Sequence, residues 1–541
     1  MIQLLFRVLF VSLLSFSLFA ANEKPAGNPN APIGGTVFYD LLGEPNSLNP
    51  FTNDGYASTI HGLTFDTLLD NHPDTYKWQR GLAEKWDVSK DGKTYTFSIR
   101  KNAKFADGSP ITIEDVKFSY DAIMDEKYGA LVLRSYYKNI ASAKITGSHT
   151  IQFKVKDKYF KNMELMGGLD ILQKSKYENP KRKINKKIHG SGPYILEKWD
   201  RGRRIVLKRN KKWWGWNDPL YKGIYNFNKI VYRFVKDENI KIEMLKKGDL
   251  DFIGFRPAGF VKKTKGDIWG KRVFANKVES NAPKSYGYVG WNMKKPMFAD
   301  ARVRKALSLA LNRKFIVEKF YYSLYLPMPG PAHPLSRWNP PTLKADPFDT
   351  KQALKLLREA GWADTDKDGV LDKVIDGKKT KFSFTIITAA DETVKVLTTY
   401  KEDAKRIGLD IDLKLVEWQT LIKLRDAGKF DGVAMAWGGV VEVDYHQIFH
   451  SSNIRKGASN FVGYSNPKVD KWIDEARLIL DPDKREPVMR KIVQQIAEDR
   501  PYLFLITGRY TLYGNTARMG KPKDTFNYTV GNSYWWMESA K

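Results

Sequence analysis

Two histidines of the sequence have the spacing of metal ligands on a helix. His446 and His450 stand four residues apart and closely follow Asp444, so a helix would bring both imidazoles onto one face, where zinc could bind them. No third nitrogen ligand lies near them in the sequence. We therefore predict that this pair does not form a metal site.

A second group of residues has the types of a calcium site. The run DTDKDGVLD, residues 364–372, presents carboxylates at alternate positions before a glycine, as the start of an EF-hand loop does. The twelfth position of such a loop carries a bidentate glutamate, and here that position is Ile375. The run is better interpreted as a solvated turn between a helix and a strand.

The short motifs that indicate common catalytic mechanisms are missing from the sequence. It has no G-x-x-x-x-G-K-[ST] phosphate loop, no G-x-S-x-G nucleophile turn and no H-E-x-x-H zinc helix. It also has no cysteine, which excludes a cysteine nucleophile, a thiolate zinc site and disulfides. We predict no catalytic residues and no cofactor, and we expect that the protein is not an enzyme.

The chain of 541 residues is strongly basic, with 90 lysines and arginines against 61 acidic residues and a net charge of +29. This charge, mixed with 15 tryptophans and 27 tyrosines, could serve nucleic-acid binding. The cations are dispersed along nearly the whole chain, however, and many aromatic residues recur at strand periodicity, which indicates burial. We predict no nucleic-acid partner and keep an exported, basic, polyanion-binding protein as an alternative from a different class.

The N-terminus has the pattern of a secretory signal peptide. The run LLFRVLFVSLLSFSLFAA has one early cation, Arg7, and an uncharged apolar stretch that ends in small residues. Residues 1–21 are therefore predicted to be removed, and no later run approaches the roughly 20 apolar residues of a membrane-spanning helix. Without a cysteine the chain has no attachment site for the lipid of an exported lipoprotein. The prediction is an exported, soluble, unlipidated protein of the periplasm.

The predicted elements change in type along the chain. Up to about residue 160 short alternating strands dominate, as in DGKTYTFSIRKNAKFADGSP, where Tyr95, Phe97 and Ile99 share one face of a strand. After about residue 290 helices and strands alternate, with helix starts predicted near Asp300 and Asp349. A β-rich first part and an α/β second part indicate two lobes.

Six segments, in order and across almost all of the mature chain, resemble the family 5 extracellular solute-binding proteins of ABC transporters, in particular the peptide and oligopeptide binding group. The longest is LAEKWDVSKDGKTYTFSIRKNAKFADGSPITIEDVKFSYD, residues 82–121. The others are GEPNSLNPF (43–51), GSGPYILEKWDRGRRIVLKRNKKWWG (190–215), NMKKPMFADARVRKALSLALNRKFIVEKFYY (292–322), ALKLLREAGW (353–362) and FVGYSNPKVDKWIDEA (461–476).

The resemblance implies an α/β, two-lobed periplasmic-binding-protein-like (type II) fold with an extra β-rich subdomain. The first lobe of such proteins is discontinuous, and we expect it at residues 32–66, 187–285 and 500–541. The β-rich subdomain is expected at 67–186 and the second lobe at 286–499. The chain would cross between the lobes twice and form a hinge there.

The resemblance also implies a function. The protein would be the periplasmic substrate-binding component of an ABC importer, acting as a monomer that captures short peptides between its lobes and delivers them to the membrane permease subunits. Relatives commonly hold a peptide as an added strand through main-chain hydrogen bonds. The segments that match those contacts are Asp54, Gly55 and Tyr56 after the LNPF run, and Ala436, Trp437 and Gly438 at a strand end.

One departure from the family pattern concerns the ligand's amino terminus. Peptide binders of the family typically carry an aspartate three residues after that tryptophan, and this position is Val440 here. An unpaired ammonium in a closed cleft would cost several kcal/mol. Glu442 or Asp444 could take the role, both could be rim carboxylates, or the ligand could be a sugar, an opine or a metal chelate.

Overall fold

The computed structural model describes residues 25–52, 54–182 and 184–538. The predicted signal peptide, residues 1–21, lies outside the described residues. Two large mixed sheets and one four-stranded sheet organise the described part of the chain. No helix in this part combines the length and the apolar character that a membrane crossing needs.

The first sheet has seven strands and combines segments that are far apart in sequence. The N-terminal strand Thr36–Leu41 lies at its centre and pairs in parallel with Lys229–Phe234 and with Phe252–Gly254. Buried apolar side chains such as Val37, Leu207 and Trp535 form the core against this sheet. In spatial order its strands are Val273–Glu279, Tyr510–Thr516, Phe252–Gly254, Thr36–Leu41, Lys229–Phe234, Arg204–Arg209 and Tyr194–Asp200.

The second sheet has six strands, and one of them shows that a predicted lobe boundary is wrong. Residues 500–541 are predicted to belong to the first lobe, but the strand Tyr502–Gly508 pairs with Tyr286–Trp291 and Tyr325–Pro327 of the second sheet. The strand is buried along its whole length because its two faces pack into two cores, Leu503 and Leu505 into one and Tyr502 and Phe504 into the other. In spatial order the strands are Tyr325–Pro327, Tyr502–Gly508, Tyr286–Trp291, Gly432–Trp437, Ser383–Thr388 and Asp410–Leu415.

Helices cover the second sheet, and their starts agree with the sequence signals. Asp300 caps Ala301–Leu309 and Asp349 caps Thr350–Glu359, each through its carboxylate and a backbone N–H of the first turn. The two late helices carry proline at the first helical position, where its fixed φ and missing N–H are tolerated. The longer helices of this part are Ala301–Leu309, Arg313–Lys319, Thr350–Glu359, Asp391–Lys405, Trp418–Asp426, Pro467–Leu478 and Pro482–Asp499.

The third sheet is antiparallel and forms the β-rich subdomain, with strands in the order Ala83–Val88, Thr94–Ile99, Thr150–Val155 and Ile140–Gly147. The predicted strand face is confirmed, because Tyr95, Phe97 and Ile99 are buried while the residues between them are partly exposed. Helix Ile113–Met124, capped by Thr112, packs against this face.

The chain passes from the first sheet to the second at residues 280–285 and returns at Arg509. An ion pair joins the two crossings, since Arg509 Nε lies 2.7 Å from Glu279 Oε2. The hydroxyl of Thr507 also donates a 2.9 Å hydrogen bond to the carbonyl of Ser285. The two connections between the lobes therefore lie side by side.

The strand at the centre of the subdomain gives a test of its packing. Phe97 is fully buried, and its ring centroid lies 6.0 Å from that of Phe153. We expect Phe97→Ala to lower the free energy of unfolding of the subdomain by about 3 to 5 kcal/mol, because it leaves a cavity in the core. Urea denaturation measures this loss. Thr96→Ala, on the opposite face, is the control, and equal losses in both variants would contradict the assigned strand face.

Candidate functional site

A cavity of about 1640 Å³ lies between the β-rich subdomain and the second lobe, beside the chain crossing. Its walls come from residues 135–165 of the subdomain, from residues 280–286, and from the segments 331–341 and 437–455 of the second lobe. Sites for single small molecules usually have volumes of about 300 to 1,000 Å³. The cavity is therefore large enough for an extended ligand.

The structure divides the eight residues predicted to contact the ligand into two groups. Those that line the cavity are Trp437, Gly438 and Asp444. Those that do not line it are Asp54, Gly55, Tyr56, Ala436 and Glu442.

The segment that begins at Asp54 has a structural role that explains its position outside the cavity. The carboxylate of Asp54 accepts hydrogen bonds from the backbone N–H groups of Tyr56 and Ala57 and so caps the helix Gly55–Thr64. The ring of Tyr56 lies directly over Gly43, where a Cβ atom would fall 2.5 Å from it. In this structure the segment stabilises its own helix start rather than the cavity wall.

Trp437 ends the strand Gly432–Trp437 at the edge of the cavity. Its ring stacks on Tyr288, with ring centroids 5.9 Å apart and planes inclined by 12°, and its indole N–H donates to the Tyr502 hydroxyl at 3.4 Å. Gly438 follows it and is exposed, with open space where a Cβ atom would stand. The tryptophan is thus held rigidly while the main chain next to it is accessible.

Both acids that were candidates for the ligand's ammonium are paired within the protein. Glu442 forms an ion pair with Arg485, whose side chain is only 2% exposed. Burial raises the pKa of the Glu442 carboxyl, and the neighbouring guanidinium opposes that shift. Asp444 accepts a 2.8 Å hydrogen bond from the Tyr159 hydroxyl and lies 3.2 Å from Arg477 Nε.

A different acid at the cavity, Asp157, was missed in the sequence. It follows the strand Thr150–Val155 of the subdomain and has an exposed side chain. Within the described ranges it has no ion pair, whereas Glu164, another cavity acid, lies 3.5 Å from Lys161. The sequence offered only a weak signal, an acid between two lysines in a loop after a strand.

The histidine pair does approach a third metal-ligand type, the carboxylate of Asp474, but its hydrogen bonds oppose metal binding. The side-chain amide of Asn453 donates to Nδ1 of His446, and the backbone N–H of Ser452 donates to Nδ1 of His450. Each Nδ1 is therefore an acceptor, and the ring N–H lies on Nε2. Burial also lowers the pKa of His446, which favours the neutral ring. In this arrangement the Nδ1 lone pairs are already engaged and the Nε2 atoms carry the ring protons, which opposes metal binding.

The acidic run at residues 364–372 is neutralised by lysines of the following hairpin. Lys379 lies 2.9 Å from Asp366, and Lys381 pairs with Asp368. The carboxylate of Asp372 accepts a hydrogen bond from the Thr365 hydroxyl and forms an ion pair with Lys379. The turn between a helix and a strand, predicted from the sequence, accounts for these acids.

Comparison with known proteins identifies the family. Residues 77–455 match the model of the bacterial extracellular solute-binding proteins, family 5 Middle. The oligopeptide-binding protein AppA of Bacillus subtilis (strain 168) is 31% identical over 505 residues, which cover 89% of this chain and 88% of that protein. The chain belongs to family 5 of the bacterial extracellular solute-binding proteins.

Solved structures of the family share the architecture. The structure of AppA from Bacillus subtilis in complex with a nonapeptide has a TM-score of 0.75 and 28% identity, covering 94% of this chain and 100% of that one. NikA from Brucella suis, in complex with Fe(III)-EDTA, has a TM-score of 0.79 at 19% identity, covering 93% and 100%, and supports the fold alone. The predicted two-lobed type II fold is confirmed, and as a family 5 protein the chain is the substrate-binding component of an ABC importer.

The pair formed by Glu442 and Arg485 gives a test that separates a structural role from a ligand-binding role. We expect Glu442→Gln to lower the free energy of unfolding by on the order of 3 kcal/mol, because the Arg485 charge would remain buried without its counter-charge. Thermal or urea denaturation measures the change. Glu475→Gln removes an exposed acid of the same lobe and serves as the control. Unchanged stability together with loss of ligand affinity would instead support a direct contact of Glu442 with the ligand.

Proposed function

We propose that the mature protein, residues 22–541, is an unlipidated periplasmic receptor that captures short peptides as a monomer and passes them to the permease of an ABC importer. The observation that carries the proposal is the cavity of about 1640 Å³ beside an accessible strand end at Trp437 and Gly438. The relative AppA, whose name and solved complex refer to oligopeptides, supports the same ligand class. The family, whose description is bacterial extracellular solute-binding proteins, supports a location outside the cell membrane.

The strand end suits main-chain recognition of a peptide. A peptide that extends past Gly438 would meet backbone groups without a side chain in the way, and such hydrogen bonds do not depend on the ligand's sequence. The rigid ring of Trp437 would supply an apolar wall. Closure of the lobes about the paired crossings at residues 280–285 and 509 would bury the ligand from water.

The amino terminus of the peptide needs a carboxylate in the cavity, and we assign this role to Asp157. Val440 lines the cavity where peptide binders of the family typically carry an aspartate, and it provides no charge. Asp444 is already paired with Tyr159 and Arg477, while Asp157 has no ion pair among the described residues. An ammonium beside Asp157 would therefore meet a carboxylate that no lysine or arginine of the described residues holds in an ion pair.

The assignment predicts that Asp157→Asn removes the preference for a free amino terminus. We expect the native protein to bind a pentapeptide at least about tenfold more tightly than its N-acetylated form, since a hydrogen bond to a charged group contributes about 1.5 to 3 kcal/mol. In Asp157→Asn the two forms should bind alike. Isothermal titration calorimetry measures both affinities.

The matched control is Asp87→Asn, which removes an exposed acid of the same subdomain outside the cavity. This variant should keep the native preference. If Asp157→Asn also keeps it, the ammonium binds elsewhere. If no peptide binds to the native protein while a sugar or a metal chelate does, the family fold remains and the ligand class is wrong.

A further inference from the structure

The cavity carries an excess of positive charge. Nine lysine and arginine side chains line it, against four carboxylates. A charge of this sign in a concave site raises the local potential more than the same charge on a convex surface, because the low-dielectric walls concentrate the field. The effect of this charge on a ligand depends on how much of it is compensated within the protein.

Part of the excess is matched by acids of the protein. Arg477 is paired with Asp444, and Lys161 lies beside Glu164. Arg337 pairs with Asp483 and Glu486, which do not line the cavity. Arg490 also contacts Glu486, and Lys284 donates hydrogen bonds to the carbonyls of Ser280 and Ala282.

The remaining four cations have no ion pair among the residues that the structure describes. Lys138, Lys156 and Lys158 belong to the subdomain wall, and Arg455 belongs to the second-lobe wall. Asp157 and Asp474 are the only cavity acids in the described part of the chain that could balance them, and neither lies within ion-pair distance of a lysine or an arginine there. Uncompensated cations therefore outnumber uncompensated acids at this site.

A neutral hydrogen-bond donor of the cavity also favours anionic groups of a ligand. His446 lines the cavity, and the hydrogen bond that its Nδ1 accepts from Asn453 leaves an N–H on Nε2. An imidazole N–H binds carboxylate oxygens and does not bind ammonium groups. The second-lobe wall thus presents a hydrogen-bond donor and the Arg455 guanidinium on one segment, residues 446–455.

We propose that the cavity selects acidic ligands, namely short peptides with glutamate or aspartate side chains. The inference rests on the proposed peptide-binding function. In this arrangement Asp157 binds the amino terminus, and the side-chain carboxylates of the peptide lie among Lys138, Lys156, Lys158 and Arg455. Peptides with lysine side chains would be repelled by the same four cations.

The test compares the affinities of the native protein for three pentapeptides that differ only at the central residue. They are Ala-Ala-Glu-Ala-Ala, Ala-Ala-Gln-Ala-Ala and Ala-Ala-Lys-Ala-Ala. Calorimetric titration at low and moderate salt gives the affinities. We expect the glutamate peptide to bind at least about tenfold more tightly than the lysine peptide, with the glutamine peptide between them. The ratio should fall as salt rises, because the Debye length shrinks from about 30 Å at 0.01 M to about 8 Å at 0.15 M.

The triple variant Lys156→Gln, Lys158→Gln, Arg455→Gln should reduce the ratio between the glutamate and lysine peptides to near one. The control is Lys144→Gln, which removes an exposed lysine of the same subdomain outside the cavity and should leave the ratio unchanged. Circular dichroism of each variant verifies its fold. The single variant Lys156→Gln keeps the test valid if the triple variant does not fold.

The outcomes separate the two proposals. A preference for the glutamate peptide that is lost in the cavity variants and kept in Lys144→Gln supports the inference. Equal binding of the three peptides, or preference for the lysine peptide, overturns it and leaves the peptide receptor intact. Failure of the native protein to bind any of the three peptides overturns the proposed function, and the acidic preference with it.

Discussion

The shape of the cavity depends on one contact between the β-rich subdomain and the second lobe. Tyr159 and Phe160 of the subdomain pack under two arginines of the second lobe, with the Arg477 guanidinium 4.6 Å from the Tyr159 ring centroid and that of Arg485 4.1 Å from the Phe160 ring centroid. Phe160 also donates its backbone N–H to the carbonyl of Arg477 at 3.0 Å. This contact sets the distance between the two walls on which the charged groups stand.

The same contact explains why Glu442 and Asp444 are not free to bind a ligand. The arginines are held over aromatic rings in a partly desolvated environment, where an uncompensated guanidinium would be costly. Glu442 and Asp444 supply the compensating charges. Both acids are therefore structural, and among the described residues the cavity keeps more unpaired cations than unpaired acids.

The fold separates rigid and movable parts in a manner that suits capture of a solute. Each large sheet has its own core of buried side chains, and within the described residues only the segments at 280–285 and 509 carry the chain between them. Two well-packed bodies that are joined by few chain segments can close about those segments as about a hinge. Strand pairing on either side, of Glu279 with Tyr510 and of Tyr286 with Thr507, keeps the two connections together, so that they can act as one axis.

Much of the architecture could be predicted from the sequence because its signals are local. Alternation at Tyr95, Phe97 and Ile99 gave the strand face, the caps at Asp300 and Asp349 gave the helix starts, and six collinear segments gave the family. Each signal involves residues that are close in the chain, so the backbone period and the capping hydrogen bonds are enough to interpret it. The absence of cysteine and the basic composition could likewise be read directly.

The site itself was decided by contacts between residues that are far apart in sequence. Tyr159 and Asp444 are separated by 285 positions, and no local pattern indicates that they form a hydrogen bond. The strand Tyr502–Gly508 was assigned to the wrong lobe for the same reason, since its partners lie more than 150 residues away. The sequence by itself determined which residues are buried and where elements begin. Only the tertiary structure decided which charges cancel, because ion pairing depends on distances that folding alone creates.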